Sequence, residues 1–252
     1  MATLMTGGAL GDDLPQTEAT QDALFGGSVV LFQPPRGAGY RTNVDALLLA
    51  GFATAARVAP VAFDLGAGVG AVGLALLRLG AARRVVLVEI DPYPAAMARR
   101  NLDANGWTDR GEVVRGDVRD VARSRRGEAS LVVCNPPYLA PGRGRVPVAQ
   151  ARARSGELGA FIEAARQIAG RKSRVCFVYP AQELGPLLDT LACYGLFAKR
   201  LRFVHGTPEA PARVALVEAR AGRPGGLSVL SPLLEREARG YTPEMKALLS
   251  LT

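Results

Sequence analysis

The sequence predicts an α/β fold, a doubly wound and mostly parallel sheet with helices on both faces, and three observations carry that expectation. From Val61 onward, apolar runs of strand length alternate with helical stretches. A glycine-rich turn, Gly66-Ala67-Gly68-Val69-Gly70-Ala71-Val72-Gly73, joins the first run to a helix. Acids close successive runs: Asp64, Glu89 and, just past its strand, Asp117. With 252 residues, 48% of them hydrophobic, the chain can bury a full-sized core.

Residues 1–24 are polar and aperiodic and read as a loose tail. The rest, 25–252, reads as a single domain: a strand-and-helix elaboration over 25–57, an α/β core over 58–220 and an extension over 221–252. A short strand is expected at 28–33, followed by the turn-rich connector Pro34-Pro35-Arg36-Gly37-Ala38-Gly39. A helix over 44–56 would place Leu47, Leu48 and Phe52 on one apolar face. Strands are expected at 61–65, 84–89, 112–115, 130–134, 174–179, 199–205 and 212–218, with a helix over 74–79 after the glycine turn. In such sheets ligands sit outside the carboxyl ends of the strands, so residues just past those ends should hold the chemistry.

The first twenty residues contain Asp12, Asp13 and Glu18 and lack the basic start and apolar stretch of an export signal. The most apolar stretch, 58–77, includes Pro60, Asp64 and four glycines, a combination suited to a buried strand and helix rather than a membrane span. Cys134, Cys176 and Cys193 are odd in number and far apart, which supports neither a disulfide framework nor a zinc site and suits a reducing cytoplasm. The net charge of +8 suggests a polyanionic partner. It is nearly all arginine, however, since the lysines are Lys172, Lys199 and Lys246 alone. Coding composition rich in Arg, Ala, Gly and Pro would give the same balance, so charge alone does not establish RNA binding.

Gly68-x-Gly70-x-x-Gly73 satisfies the spacing of a nucleotide-binding turn, and Glu89 at the end of the next strand is placed to accept ribose hydroxyls. Asp64 narrows the ligand, because a carboxylate at this strand end would repel a dinucleotide pyrophosphate. S-adenosylmethionine has no phosphate and carries a sulfonium and an ammonium, which a carboxylate favours. Asp117, at a third strand end, is placed to accept from an adenine amine. Asp64, Gly66, Gly68, Glu89 and Asp117, with Asn135 at the end of a further strand, are therefore candidate contacts for that cofactor and its product S-adenosylhomocysteine.

The fourth core strand runs into Asn135-Pro136-Pro137-Tyr138. Consecutive prolines stiffen the backbone and remove two donors, leaving the Asn135 amide oxygen and the Pro136 carbonyl free to face one amino group. An aromatic exocyclic amine is a poor nucleophile because its lone pair is delocalised into the ring. Two acceptors on its N–H bonds favour the pyramidal, electron-rich geometry of the transition state. Tyr138 offers a face on which an extruded base can stack, an interaction worth about 1–3 kcal/mol. Cys134 reads as a buried structural thiol and His205, the one histidine, as a structural residue. The loop over 139–155 contains Arg143, Arg145, Arg152 and Arg154 and no acid, which suits phosphate contacts.

With these motifs in view, the chain resembles the bacterial tRNA1(Val) adenine-37 N6-methyltransferases, which modify the adenosine beside the anticodon. The resemblance adds Gly26-Gly27, Gln33-Pro34, Gly39-Tyr40-Arg41 and Asp45 to Ala50 near the N-terminus. Near the C-terminus it adds Phe203-Val204-His205 and Gly240-Tyr241-Thr242-Pro243-Glu244-Met245. It implies a Rossmann-like class I methyltransferase fold, seven strands with the last antiparallel, no metal, a tRNA partner, and Arg41 and Asp45 near the methionine end of the cofactor. Some members of the family it resembles have threonine before that aspartate where this chain has Val44. The cofactor turn and Asn-Pro-Pro-Tyr are shared with guanine-N2 rRNA and protein-glutamine N5 methyltransferases. A nicotinamide oxidoreductase would use the glycine turn but leaves Asp117 and residues 135–138 unexplained.

Overall fold

The computed structural model describes residues 19–35, 44–55, 57–136 and 148–250, the side chains of 148–156 excepted. The described residues open with a hairpin of β1 (Thr20–Leu24) and β2 (Val29–Gln33), then α1 (Val44–Ala53). The alternating core follows: β3 (Ala59–Leu65), α2 (Ala71–Arg78), β4 (Ala82–Glu89), α3 (Pro92–Ala104), β5 (Gly111–Arg115), α4 (Val118–Ser124), β6 (Ala129–Cys134), α5 (Val148–Ile168), β7 (Ala169–Pro180), α6 (Leu184–Cys193), β8 (Leu196–His205) and β9 (Ala212–Ala221). Four two-residue strands, β10 (Ser228–Val229), β11 (Leu233–Leu234), β12 (Arg236–Glu237) and β13 (Gly240–Tyr241), precede α7 (Pro243–Leu249).

All seven expected core strands are present. They lie in the order β8-β9-β7-β6-β3-β4-β5, with β10 and β11 extending the β8 edge. β3 to β7 pair in parallel, and β9, the last of the seven, runs antiparallel between β7 and β8. Period-two alternation sends consecutive strand residues to opposite faces. Ala62, Val85, Leu87, Leu131, Val133 and Cys176 pack against α1, α2 and α3, whereas Phe63, Leu65, Val86, Val132 and Phe177 pack under α4, α5 and α6.

Two N-terminal expectations change. The last residues of the supposed tail form β1, because Gln21 to Leu24 find hydrogen-bonding partners along β2 from Phe32 to Val29. The α1 helix stops at Ala53 and is buried on nearly all sides rather than one, since the C-terminal extension covers it: a Cβ on Gly51 would lie 2.7 Å from Leu248 Cδ1. The free edge of β2 is satisfied by side chains of α3. Asn105 Oδ1 accepts from Val30 N–H and its amide donates to Val30 O. Asn101 Oδ1 accepts from Phe32 N–H and its amide donates to the carbonyls of Phe32 and Val69. Two asparagines one helical turn apart thus stand in for a third strand and fasten the hairpin beside the glycine turn.

Candidate active site

The strand order reverses between β3 and β6, the position where open α/β sheets hold ligands. Leu65 and Cys134 are register partners, so Gly66 and Asn135 emerge side by side. A cavity of about 650 Å³ opens there, within the usual range for small-molecule sites. Asp64, Gly66, Gly68, Glu89, Asp117 and Asn135, all singled out from the sequence, line it together.

Asp64 is 1% exposed, and its Oδ2 accepts from the Gly73 N–H at 3.0 Å. Burial raises its pKa from 3.8 to about 7; the Gly73 N–H opposes that rise and the nearby Glu89 adds to it. Glu89 holds the turn from the next strand: Oε2 accepts from Gly68 N–H at 2.8 Å and Oε1 from Asp91 N–H at 2.9 Å. Gly66 has φ +70, and a Cβ there would lie 3.0 Å from the Phe161 ring, so both backbone conformation and space exclude larger residues.

Asp117 lines the cavity but is also the N-cap of α4. Its Oδ1 accepts from the backbone N–H and Nε of Arg119, and its Oδ2 from Arg119 Nη2 at 2.5 Å. Hydrogen bonding to Arg119 holds its pKa down at about 2. An adenine amine would therefore share Asp117 with Arg119, an engagement that strand position alone did not reveal.

Asn135 Oδ1 is buried and has no hydrogen-bond partner among the described residues. Buried acceptors are normally satisfied, so such an atom on a cavity wall marks a place where a ligand donor fits. Cys134 is fully buried, its Sγ lies 3.5 Å from Leu65 O, and burial pushes its thiol well above the ordinary range, as a structural thiol requires. His205 Nδ1 lies 2.8 Å from Ala210 O and is part of the β8 turn.

Other sequence candidates are placed less directly. Pro136 is buried beside Asn135. Asp45 is 1% exposed and paired with Arg213 Nη1 at 2.6 Å; its neighbour Ala46, not Asp45, lines the cavity. Arg41, Pro137, Tyr138, Arg143 and Arg145 lie outside the described residues, and Arg152 and Arg154 fall on α5 where side chains are not described. The basic clusters at 123–126 and 171–174 lie toward the amino-terminal edge of the sheet, away from Asn135. There Arg125 pairs with Glu112 and Glu128, and Arg174 with Glu218.

The sequence reading missed Phe161, Glu157, Ile90, Val118 and Arg119, which also line the cavity. Ile90 carried a usable signal in its place directly after the strand-end acid Glu89, where open α/β sheets hold ligands. Phe161 carried none, because its helical spacing from Leu158 and Ala165 is that of an ordinary core residue. Among the described residues no cluster of His, Cys, Asp or Glu could hold a metal ion, and no helix is long and apolar enough to cross a membrane.

Residues 43–157 match the family described as methyltransferase small domain. A relative from Porphyromonas gingivalis named tRNA1(Val) (adenine(37)-N6)-methyltransferase is 30% identical over 73% of this chain and 76% of its own length. One of the same name from Tolumonas auensis is 28% identical over 82% and 87%. Against three further relatives of that name the match spans only 41 to 65% of the relative's length. A solved structure described as a predicted O-methyltransferase, from Agrobacterium tumefaciens, superposes with TM-score 0.63 and 27% identity over 81% of this chain and 94% of that one.

Proposed function

Because the chain belongs to the tRNA1(Val) (adenine(37)-N6)-methyltransferase family, we propose that it is an S-adenosylmethionine-dependent enzyme that methylates the N6 amine of an adenosine in a tRNA anticodon loop. The observation that carries this reading is the buried Asn135 Oδ1, an acceptor without a partner among the described residues, at the wall of an acid-lined cavity.

The residues present fit S-adenosylmethionine. Buried Asp64 would gain a cationic neighbour, Glu89 would accept from the ribose hydroxyls, and Ile90 and Val118, which follow two strand-end acids, would supply apolar surface for an adenine ring. When bound, the cofactor supplies an electrophilic methyl group on a sulfonium. The chain's own part is positioning and polarisation. Asn135 Oδ1 and the Pro136 carbonyl accept the two N–H bonds of the incoming amine, draw its lone pair out of conjugation and hold it toward the methyl group. The nitrogen becomes cationic as the new bond forms, so fixed acceptor dipoles stabilise that charge until a proton leaves. Tyr138 is assigned the stacking face for the extruded base, and Arg41 and Asp45 the neighbourhood of the methionine end, on the family's pattern. Arg143, Arg145, Arg152 and Arg154 are assigned to backbone phosphates, and the enzyme to the cytoplasm, where tRNA is modified.

An oxygen acceptor, suggested by the name of the Agrobacterium protein, would need its proton removed before attack. A hydroxyl also offers a single donor, where Asn135 Oδ1 and the Pro136 carbonyl provide two acceptors. An amine needs no prior deprotonation, which favours nitrogen. Tritiated methyl transfer to separate tRNA, ribosomal RNA and protein fractions, followed by nucleoside analysis, tests the assignment. N6-methyladenosine in tRNA is expected; label confined to protein would reject it.

A further inference from the structure

The C-terminal extension presents two exposed arginines beside the site, Arg236 and Arg239, with Glu237 between them. β12 and β13 form a hairpin in which Arg236 pairs with Tyr241 and Glu237 with Gly240. Its root is joined to the carboxyl edge of the sheet. Leu233 and Leu234 pair with Val204 and His205 at the end of β8, Glu235 N–H donates to His205 O at 2.8 Å, and Arg236 N–H donates to Gly206 O at 3.0 Å. Two antiparallel steps make β8 parallel to β6, so the hairpin projects past the same edge as Asn135. Three strand spacings separate β8 from β6, roughly 14 Å. Ion pairs also tie the root to the cavity wall, from Glu235 to Arg213 at 2.5 Å and from Arg213 to Asp45, beside Ala46, at 2.6 Å.

Elsewhere many arginines are matched by acids: Arg119 by Asp117, Arg202 by Glu244, and Arg174, Arg200 and Arg220 around Glu218. Arg236 and Arg239 are exposed, and neither has an acid partner among the described residues. The Arg236 guanidinium carbon lies 4.5 Å from the centroid of the Tyr241 ring, with Nη2 3.4 Å from the phenol oxygen. One face of the planar cation is thus held on an aromatic ring, and little further ordering is needed for it to bind through the other face or its remaining N–H groups. Unpaired nucleobases stack on such guanidinium planes, and phosphates pair with their edges.

We propose that the β12–β13 hairpin is an RNA contact, in which Arg236 stacks against an unpaired base flanking the reacting adenosine and Arg239 meets a phosphate of the same loop. The proposal rests on the tRNA reading above.

Fluorescence anisotropy with an unmodified tRNA transcript tests it, using the full chain and the variants R236A/R239A, R236K/R239K and R171A/K172A. The last removes the same charge from the opposite edge of the sheet. R236A/R239A should weaken tRNA binding roughly tenfold and flatten the salt dependence by about one unit of log–log slope. The loss in turnover should fall on KM for tRNA rather than on kcat. R236K/R239K should recover the salt slope but not the full affinity, and R171A/K172A should remain within about twofold of the unsubstituted protein. Unchanged affinity in R236A/R239A, or an equal loss in R171A/K172A, would overturn the hairpin contact while tRNA methylation by the unsubstituted enzyme still stood. An unsubstituted protein that neither binds nor methylates tRNA would overturn the functional reading, and this contact with it.

Discussion

The carboxylate of Asp64 accepts the backbone N–H of Gly73 at 3.0 Å, closing the strand–turn–helix unit that opens the cavity. Gly73 brings the helix against β4 as well as donating that bond, since a Cβ there would sit 2.2 Å from Leu87 Cδ2 and 3.6 Å from Asp64 Oδ2. Leu87 is fully buried and has little room to yield.

Gly73→Ala should therefore destabilise the protein even though alanine is the better helix former. The propensity gain is about 1 kcal/mol, against an overpacking cost of about 1–3 kcal/mol. A net loss of about 1 kcal/mol is expected in urea unfolding, with weaker cofactor binding; an unchanged or raised midpoint would show that α2 shifts freely.

The raised pKa of Asp64 sets a pH dependence. The folded protein keeps a proton up to about pH 7 that the unfolded chain releases near 3.8. This residue's contribution is therefore fully present below about pH 4 and lost as pH rises to 7, with an upper bound on the order of 4 kcal/mol. Denaturation midpoints at pH 5 and 7.5 should differ less in Asp64→Asn than in the unsubstituted protein. Cofactor affinity should strengthen from pH 6 to 8, because a cationic ligand favours the ionised carboxylate. Parallel profiles in the two proteins would refute both expectations.

Asn135→Ala removes the proposed amine acceptor without touching the cofactor turn. Cofactor affinity by calorimetry should stay within about threefold while kcat falls about 100-fold or more, the typical effect of deleting one fixed dipole from a reacting centre. Unchanged turnover would reject amine polarisation by this side chain.

Glu89→Gln places an NH₂ group where one of two backbone N–H donors, Gly68 or Asp91, needs an acceptor. Leaving one donor unsatisfied costs about 1–3 kcal/mol, so cofactor affinity should fall about fivefold or more through loss of turn order. Titration calorimetry reads this directly; equal affinity would show that the turn is ordered without Glu89.

Much of the site was legible because parallel-sheet chemistry collects at strand ends, and strand ends can be read from apolar runs closed by Asp64, Glu89 and Asn135. Engagements set by neighbours were not legible. That Asp117 is held by Arg119, and that Asp45 turns to Arg213 168 positions later in the chain, depend on which side chains the fold brings into range. The strand at 20–24 was missed because β1 is held mainly by backbone pairing with β2, and its half-buried face, Thr20, Asp22 and Leu24, carries only one large apolar residue.

By itself the sequence determined the alternating fold, the switch-point turn and the Asn-Pro-Pro-Tyr motif at a strand end, because each depends on local periodicity or on residues adjacent in the chain. Only the tertiary structure decided that the N-terminal hairpin is fastened by Asn101 and Asn105, that Phe161 packs at Gly66, and that the Arg236–Tyr241 hairpin stands on the edge that bears Asn135. Those relations join segments tens of residues apart through side-chain hydrogen bonds, close packing and sheet register, which no local pattern encodes.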